Sequence, residues 1–359
     1  MTSLFEPLSF AHGPAMKNRF ALAPLTNSQS HADGTLSDEE FHWLTLRAKG
    51  GFGLTMTCAA HVQAQGQGFP GQLGIWDDKH IPGLTRLAAE IKKHQSLAIV
   101  QLHHAGLRAD AEIVGERRVA PSFDEKTGAR ALSEGEVEQL AEDFILAALR
   151  AERAGFDGVE FHGAHGYILA EFLSDETNRR EDRYGGNPEN RARILFDIIN
   201  GARARCRPDF HLGLRISPER FGLKLAEIVA FADRVLKEGQ LDQLDLSLWD
   251  YAKEPNEEEF KGRTLMSYFT ALERGRTRVG GAGKIMTGQD AQACLDGGLD
   301  FAIIGRGAIL HHDFPERVRK DAAFKSVSLP VSEAYLANEG LSPIFIKYMR
   351  NWANFVENT

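Results

Sequence analysis

Apolar residues fall along the chain in short runs rich in strand formers, with longer amphipathic stretches between them. The runs occupy 20–25, 52–58, 97–102, 156–161, 211–216, 244–248, 278–282 and 299–304, and read as eight strands. They lack the polar/apolar alternation of a half-exposed antiparallel sheet, which suits parallel strands covered by helices on one side and by a packed interior on the other. The stretches between them carry helix starts. Ser37 and Glu40 form an S-x-x-E capping box ahead of Phe41, Leu44 and Ala48; Ser133 and Glu136 repeat it ahead of Val137, Leu140, Phe144 and Ala148.

Eight strands alternating with helices predict an α/β chain closed into a (β/α)8 TIM barrel rather than an open doubly wound sheet. The expectation is a single domain over residues 1–359, with a C-terminal tail from about 331 to 359. Two gaps exceed a plain crossover, 103–132 after the third strand and 163–187 after the fourth. Extra sequence after a barrel strand lies on the C-terminal face, where barrels do chemistry.

Composition narrows the class. The 359 residues are 43% hydrophobic and 26% charged, enough to bury a large core, and 42 Lys and Arg against 50 Asp and Glu leave a net charge of −8. With no long basic run, neither a nucleic-acid surface nor an anionic-membrane anchor is expected. The start, MTSLFEPLSF, lacks a basic region before an apolar core, and no apolar run reaches the length of a spanning helix. A soluble, cytoplasmic protein is the expectation. Cys58, Cys206 and Cys294 are far apart without a CxxC pair, which excludes a cysteine-based zinc or iron–sulfur cluster and argues against a disulfide framework.

The polar residues at strand ends are the candidates for chemistry. Strand four runs into His162, Gly163, Ala164, His165, Gly166 and Tyr167. Two imidazoles and a phenol there can grip an anionic or carbonyl oxygen while the tyrosine delivers a proton. Loop residues of this kind also commonly do no more than satisfy backbone groups, and histidines at this spacing can ligate zinc. Zinc loses ground because the first strand ends Ala23-Pro24-Leu25-Thr26 and the last Gly305-Arg306, without the H-x-H and aspartate of metal-dependent barrel hydrolases. His103 and His104 follow strand three, but adjacent residues on an extended chain point apart. Gly281-Ala282-Gly283-Lys284 and Ile304-Gly305-Arg306-Gly307 end strands seven and eight, where barrels commonly hold phosphate. No Gly-x-Gly-x-x-Gly follows the first strand, and strand six lacks the lysine of a Schiff-base aldolase. Gln101 and Arg215 are polar ends on apolar strands; the arginine needs either an internal carboxylate or an anionic ligand such as the N1–C2=O edge of a reduced flavin.

Taken in order, Ala23-Pro24-Leu25-Thr26, Gln101-Leu102-His103-His104-Ala105-Gly106, the run His162–Tyr167, Asn178-Arg179-Arg180, Tyr184-Gly185-Gly186, Glu189-Asn190-Arg191 and Gly305-Arg306 resemble the Old Yellow Enzyme family of flavin-dependent ene-reductases. The resemblance implies an FMN on the barrel mouth. Thr26 would hydrogen-bond near C4=O, Pro24, Leu25 and Ala59 would line the ring, Gln101 would meet the pyrimidine edge and Arg215 the N1 side. Gly283, Lys284, Gly305 and Arg306 would bind the phosphate, chiefly through backbone N–H groups. His162 and His165 would bind the oxygen of a small activated alkene, and Tyr167 would protonate its α-carbon after hydride arrives from NAD(P)H by way of flavin N5.

This chain departs from the family pattern in places. The third-strand motif usually continues with arginine, but Leu107 stands there with Arg108 following, so that contact is missing or displaced. The subgroup with cysteine at the Thr26 position is excluded, and Ser28 stands where that subgroup often has tyrosine. The chain ends at Thr359, so no FAD or iron–sulfur extension is expected. Related subgroups pass a C-terminal arginine into a neighbour's pocket, which makes Arg350 a candidate should the protein be a homo-oligomer. From another class, a flavin-free lyase or isomerase acting on a phosphorylated substrate remains the alternative.

Overall fold

The computed structural model describes residues 3–115 and 118–358. Eight parallel strands close into a barrel: β1 Phe20–Leu22, β2 Leu54–His61, β3 Leu97–His103, β4 Gly158–Gly163, β5 His211–Ile216, β6 Gln243–Ser247, β7 Arg278–Ala282 and β8 Phe301–Ile304, with β1 paired to both β2 and β8. All eight expected strands are present. The first is shorter than its apolar run, because Ala23 still donates to the Ile304 carbonyl (3.0 Å) but Pro24 has no N–H with which to continue. The second runs three residues further, past an irregularity between Met56 and Ala59.

One feature of the sequence reading is corrected inside the barrel. Strands β4, β5 and β6 do alternate: Glu160 and His162, His211 and Arg215, and Gln243, Asp245 and Ser247 are separated by Phe161, Leu212, Leu214, Leu244 and Leu246. All of these are buried. The apolar set faces the surrounding helices, so the polar set faces the barrel axis rather than solvent. The opposite half of the interior is apolar, with Ala21, Leu54, Met56, Leu97, Ile99, Phe301 and Ile303 in one cluster. Leu8 and Met16, hydrogen-bonded to each other, join that cluster where the strands begin. The C-terminal mouth is left for a ligand.

The outer layer comprises α1 Asp38–Lys49, α2 Ile81–Lys93, α3 Glu134–Arg153, α4 Pro188–Arg205, α5 Leu225–Glu238, α6 Gly288–Asp296 and α7 Phe314–Lys320. The second capping box forms in full: Ser133 Oγ accepts from Glu136 N, and Glu136 returns a bond to Ser133 N (2.8 Å). The first forms by half. Ser37 Oγ accepts from Glu40 N (3.1 Å), but the Glu40 carboxyl turns into the core to meet Asn27, Ser30 and Cys58. A buried carboxyl needs partners, and three side chains there outcompete one backbone N–H.

The two long gaps fold together over the mouth. Arg180 donates to the carbonyls of Pro121 (2.7 Å) and Leu132, and Arg179 to that of Phe123 (2.6 Å), so the loop after β4 is sewn to the loop after β3. Asn178 bridges the Phe172 and Tyr184 carbonyls at 2.8 Å each, and Arg191 ties α4 to Leu173 and Gly186. The tail forms α8 Glu333–Asn338 and α9 Pro343–Met349 and returns to the barrel, with Leu336, Phe345, Ile346 and Met349 buried. No described helix is long and apolar enough to cross a membrane.

The complete capping box makes a stability prediction. Ser133→Ala leaves the Glu136 N–H without its acceptor and should lower stability by about 1 kcal/mol. The urea midpoint of unfolding reads this; an unchanged midpoint would show that the box contributes nothing to α3.

Candidate active site

A cavity of about 440 Å³ opens at the C-terminal ends of the strands, within the size range of small-molecule sites. Every strand supplies its lining at or just past its end: Ala23 to Thr26 from β1, Ala59 from β2, Gln101 and His103 from β3, His162 from β4, Arg215 from β5, Ser247 from β6, Ala282 from β7 and Gly305 beyond β8. The alternation that sends leucines outward therefore delivers these side chains inward. All thirteen site residues expected from the sequence lie around this one cavity, including Pro24, Leu25, Thr26, Ala59, Gln101, His162, His165, Tyr167, Arg215, Gly283, Lys284, Gly305 and Arg306.

On one side stands a ring cluster. His103 and Tyr167 pack edge to face at 4.3 Å between centroids, His162 lies 5.1 Å from Tyr167, and His162 and His165 meet at 5.0 Å. His165 and Gly166 both take left-handed backbone (φ 62° and 67°), a sharp turn that sets Tyr167 ahead of the short helix Ile168–Leu173. Ile168 N donates to the His104 carbonyl (3.1 Å), which fixes that helix against β3. His104 itself takes no part in the cavity lining and receives a bond from Gly106 N.

The imidazoles are linked. His165 Nε2 lies 2.6 Å from Ser247 Oγ, and His165 Nδ1 lies 3.3 Å from His162 Nε2. His162 Nδ1 is buried with no partner. Burial, with the Arg215 and Arg108 cations nearby, holds His165 down at about 3; burial, His165 and His103 hold His162 well below the ordinary imidazole range. Both rings are neutral at physiological pH, and each carries one N–H. Among the described residues, no third His, Cys, Asp or Glu gathers with them into a metal-binding group.

At the other side, Gln101 Nε2 donates to Glu160 Oε1 (2.8 Å), and Arg215 Nε lies 3.1 Å from Asp245 Oδ2. Arg215 thus has an internal carboxylate while its side chain also reaches the cavity. Beyond β7, Gly283 packs against the Asp250 and Tyr251 backbone so closely that a Cβ would come within 2.8 Å of Asp250 N, whereas beyond β8 nothing lies closer than 3.8 Å to a Cβ at Gly305. Lys284 pairs with Asp250 at 2.9 Å, while Arg306 has no ion pair among the described residues.

Several lining residues lie outside the thirteen expected. Arg108 projects over the Tyr167 ring, 4.9 Å from its centroid, and donates to the His165 carbonyl, so an arginine reaches the site from one position later than the family motif has it. Trp249, Phe69 and Phe221 come from loops after β6, β2 and β5. Tyr348, Met349 and Trp352 come from the tail, and Tyr348 interacts with the Thr26 side chain. The helical spacing in the tail was the available signal, but it could not say which face would meet the cavity. Arg350 points elsewhere in its own chain, to Glu333 and the Glu357 carbonyl.

A parallel barrel with open glycine turns after β7 and β8, a glutamine and an arginine on one side, and a histidine–tyrosine cluster on the other has the makeup of a flavin oxidoreductase. The sequence profile described as the NADH:flavin oxidoreductase / NADH oxidase family matches residues 3–324. A probable NADH-dependent flavin oxidoreductase, YqiG, of Bacillus subtilis is 36% identical over 328 residues, 88% of each chain. An NADPH dehydrogenase of Bacillus licheniformis is 34% identical over 325 residues, covering 88% of this chain and 94% of its own. The structure of an old yellow enzyme homologue from Zymomonas mobilis superposes with a TM-score of 0.81 at 27% identity, over 96% of this chain and 99% of the other. The chain belongs to the NADH:flavin oxidoreductase family, the family of Old Yellow Enzyme. It is an NAD(P)H-dependent flavin oxidoreductase with FMN as cofactor, which sets the flavin-free lyase or isomerase aside. The observed cavity fits that cofactor: an unpartnered buried Arg215 Nε on one side, and on the other the Gly283–Lys284 and Gly305–Arg306 turns in the lining, with open space at Gly305 where a Cβ would stand.

The buried imidazoles set the acid side of the stability profile. Eight of the thirteen histidines have their proton affinity lowered, against four carboxyls, Glu40, Glu160, Glu171 and Asp245, whose affinity is raised. Below about pH 6.5 the unfolded chain protonates the histidines and the folded chain does not, so the unfolded state binds more protons and stability falls with pH. The raised carboxyls oppose this but are fewer. The melting temperature should therefore drop by several degrees between pH 6.5 and pH 5; a constant or rising value would contradict the buried, neutral imidazoles.

Proposed function

We propose that the protein is an ene-reductase acting on an alkene conjugated to a carbonyl or nitro group. The observation that carries this reading is the unpartnered His162 Nδ1, buried at the cavity wall beside the Tyr167 phenol, whose hydroxyl bonds no other described residue. FMN, when bound, supplies the redox chemistry, accepting hydride from NAD(P)H and returning it from N5 to the β-carbon. The phosphate takes the backbone of Gly283, Gly305 and Arg306, assisted by the Arg306 and Lys284 charges. Pro24, Leu25, Thr26 and Ala59 border the ring system, and Gln101 and Arg215 meet its pyrimidine edge.

The ring cluster then has a definite proton arrangement. For His162 to donate from Nδ1, its Nε2 must accept; His165 therefore donates from Nδ1 and accepts at Nε2 from the Ser247 hydroxyl. His162 binds the acceptor oxygen of the substrate through Nδ1–H, with His165 behind it fixing that tautomer, and negative charge developing there is stabilised by an N–H donor already in place. Neutral imidazoles deliver no proton to carbon. That role falls to Tyr167, with Arg108 over its ring to stabilise the phenolate left behind.

Tyr167→Phe should leave flavin reduction by NAD(P)H nearly unchanged and slow enone reduction by orders of magnitude, since only the second half-reaction protonates carbon. Rapid mixing separates the two; equal slowing of both would reduce Tyr167 to a ligand-positioning residue.

Loss of one hydrogen bond to a charged group is worth about 1.5–3 kcal/mol, so Arg306→Ala should weaken FMN binding roughly tenfold or more. Gly305→Val, which fills the open backbone, should yield partly or wholly colourless protein. Full FMN occupancy of both variants after dialysis would place the phosphate elsewhere.

A further inference from the structure

The polar half of the barrel interior lies behind the two residues assigned to the flavin's pyrimidine edge. Glu160 accepts from Gln101 Nε2 at 2.8 Å and from Gln243 Nε2 at 2.9 Å. Arg215 Nε lies 3.1 Å from Asp245 Oδ2, yet neither Asp245 oxygen nor Arg215 Nε has a partner in hydrogen-bonding geometry. The contact is electrostatic, without the directional bonds that hold a buried pair firmly together.

Few other groups face this cluster. β3 adds His103, β4 His162 and β5 His211, all held neutral by burial. The interior residues of β1, β2, β7 and β8 carry no charge: Ala21, Ala23, Leu54, Met56, Gly280, Phe301 and Ile303. The charge of the cluster is set by Arg215 and the two carboxyls.

We propose that Glu160 and Asp245 are a proton-accepting pair coupled to flavin reduction, Arg215 shifting its charge from Asp245 to the flavin's N1–C2=O edge while the pair takes a proton from solvent. This rests on the cofactor placement above. Hydride transfer brings two electrons and one proton to the flavin, leaving its ring system with one additional negative charge; a second proton bonds to an Asp245 or Glu160 oxygen, and no other bond changes. Burial and mutual repulsion raise Glu160 to about 8, and burial raises Asp245 to about 6, so near neutrality the pair holds about one proton and has room for another. Withdrawal of the Arg215 charge toward the flavin raises the affinity further. The additional uptake belongs above about pH 6, because below that both carboxyls are already protonated in either redox state.

The test uses the FMN-loaded protein. Its flavin spectrum confirms cofactor binding first, and protein purified without FMN and unable to take it up would overturn both the cofactor placement and this inference. Anaerobic reduction in weak buffer with a pH indicator, together with the flavin potential measured from pH 7 to 8, counts protons taken up per two electrons. The expected count approaches two for the native protein and falls to one in Asp245→Asn, with an intermediate value in Glu160→Gln. A native count of one overturns the proposal without any variant. A count of two that persists in both variants assigns the proton elsewhere and overturns it equally.

Discussion

The two hydrogen bonds that Glu160 accepts inside the barrel are the constraint on which the site depends. They join β3, β4 and β6, although β5 lies between β4 and β6 in the sheet. Gln243 can cross β5 only because residue 213 is glycine: a Cβ there would lie 2.7 Å from Gln243 Cγ. A carboxyl buried without partners costs several kcal/mol, so once Glu160 faces inward the neighbouring strands must answer it. Gln101 does so with its amide nitrogen, which leaves its amide oxygen as the free end of that side chain. The orientation of a cavity-lining residue is decided one layer below the cavity.

The same burial divides the chemistry between the two sides of the mouth. Desolvation holds His162 and His165 neutral, so each ring keeps a single N–H, and only the Nδ1 of His162 is without a partner. An imidazolium there would sit close to both Arg215 and Arg108, and the barrel interior has no carboxylate on that side to offset it. Under the proposed function the proton for carbon then comes from the phenol beside the two imidazoles, an O–H donor that can also leave its proton on carbon. Tyr167 is held in place by the left-handed turn at His165 and Gly166 and by the edge contact with His103.

The barrel was legible in the sequence because eight apolar runs separated by amphipathic stretches have few other solutions. The polar residues within three of those runs were not legible as a pattern. Gln243-Leu244-Asp245-Leu246-Ser247 alternates as cleanly as any half-exposed strand, and in a parallel barrel the polar face turns to the axis instead of to water. Periodicity gives the two faces of a strand but not what lies opposite each, so Glu160, Asp245 and Gln243 carried no functional signal until the strands were closed. Glu40 is a similar case: the spacing predicts a reciprocal cap, while the partner set that captures the carboxyl, Asn27, Ser30 and Cys58, comes from two different strand ends.

Of the stretch His162 to Arg191, the most specific part of the family resemblance, His162, His165 and Tyr167 line the cavity while the part from Asn178 to Arg191 supplies none of its lining. Side chains of that second part bond to backbone carbonyls: Asn178 to two, Arg179 to two, Arg180 to two and Arg191 to two. A backbone carbonyl is present whatever side chain its residue carries, so these bonds do not depend on the side chains of the loops they hold. The loop after β3 can thus present Arg108 from a shifted position and still be anchored at Pro121 and Phe123. This arrangement separates the part of the chain that fixes Tyr167 in space from the parts that shape the mouth around it, including Trp249 and the tail residues Tyr348 and Trp352. Under the proposed function, reaction class follows from the first part and substrate range from the second.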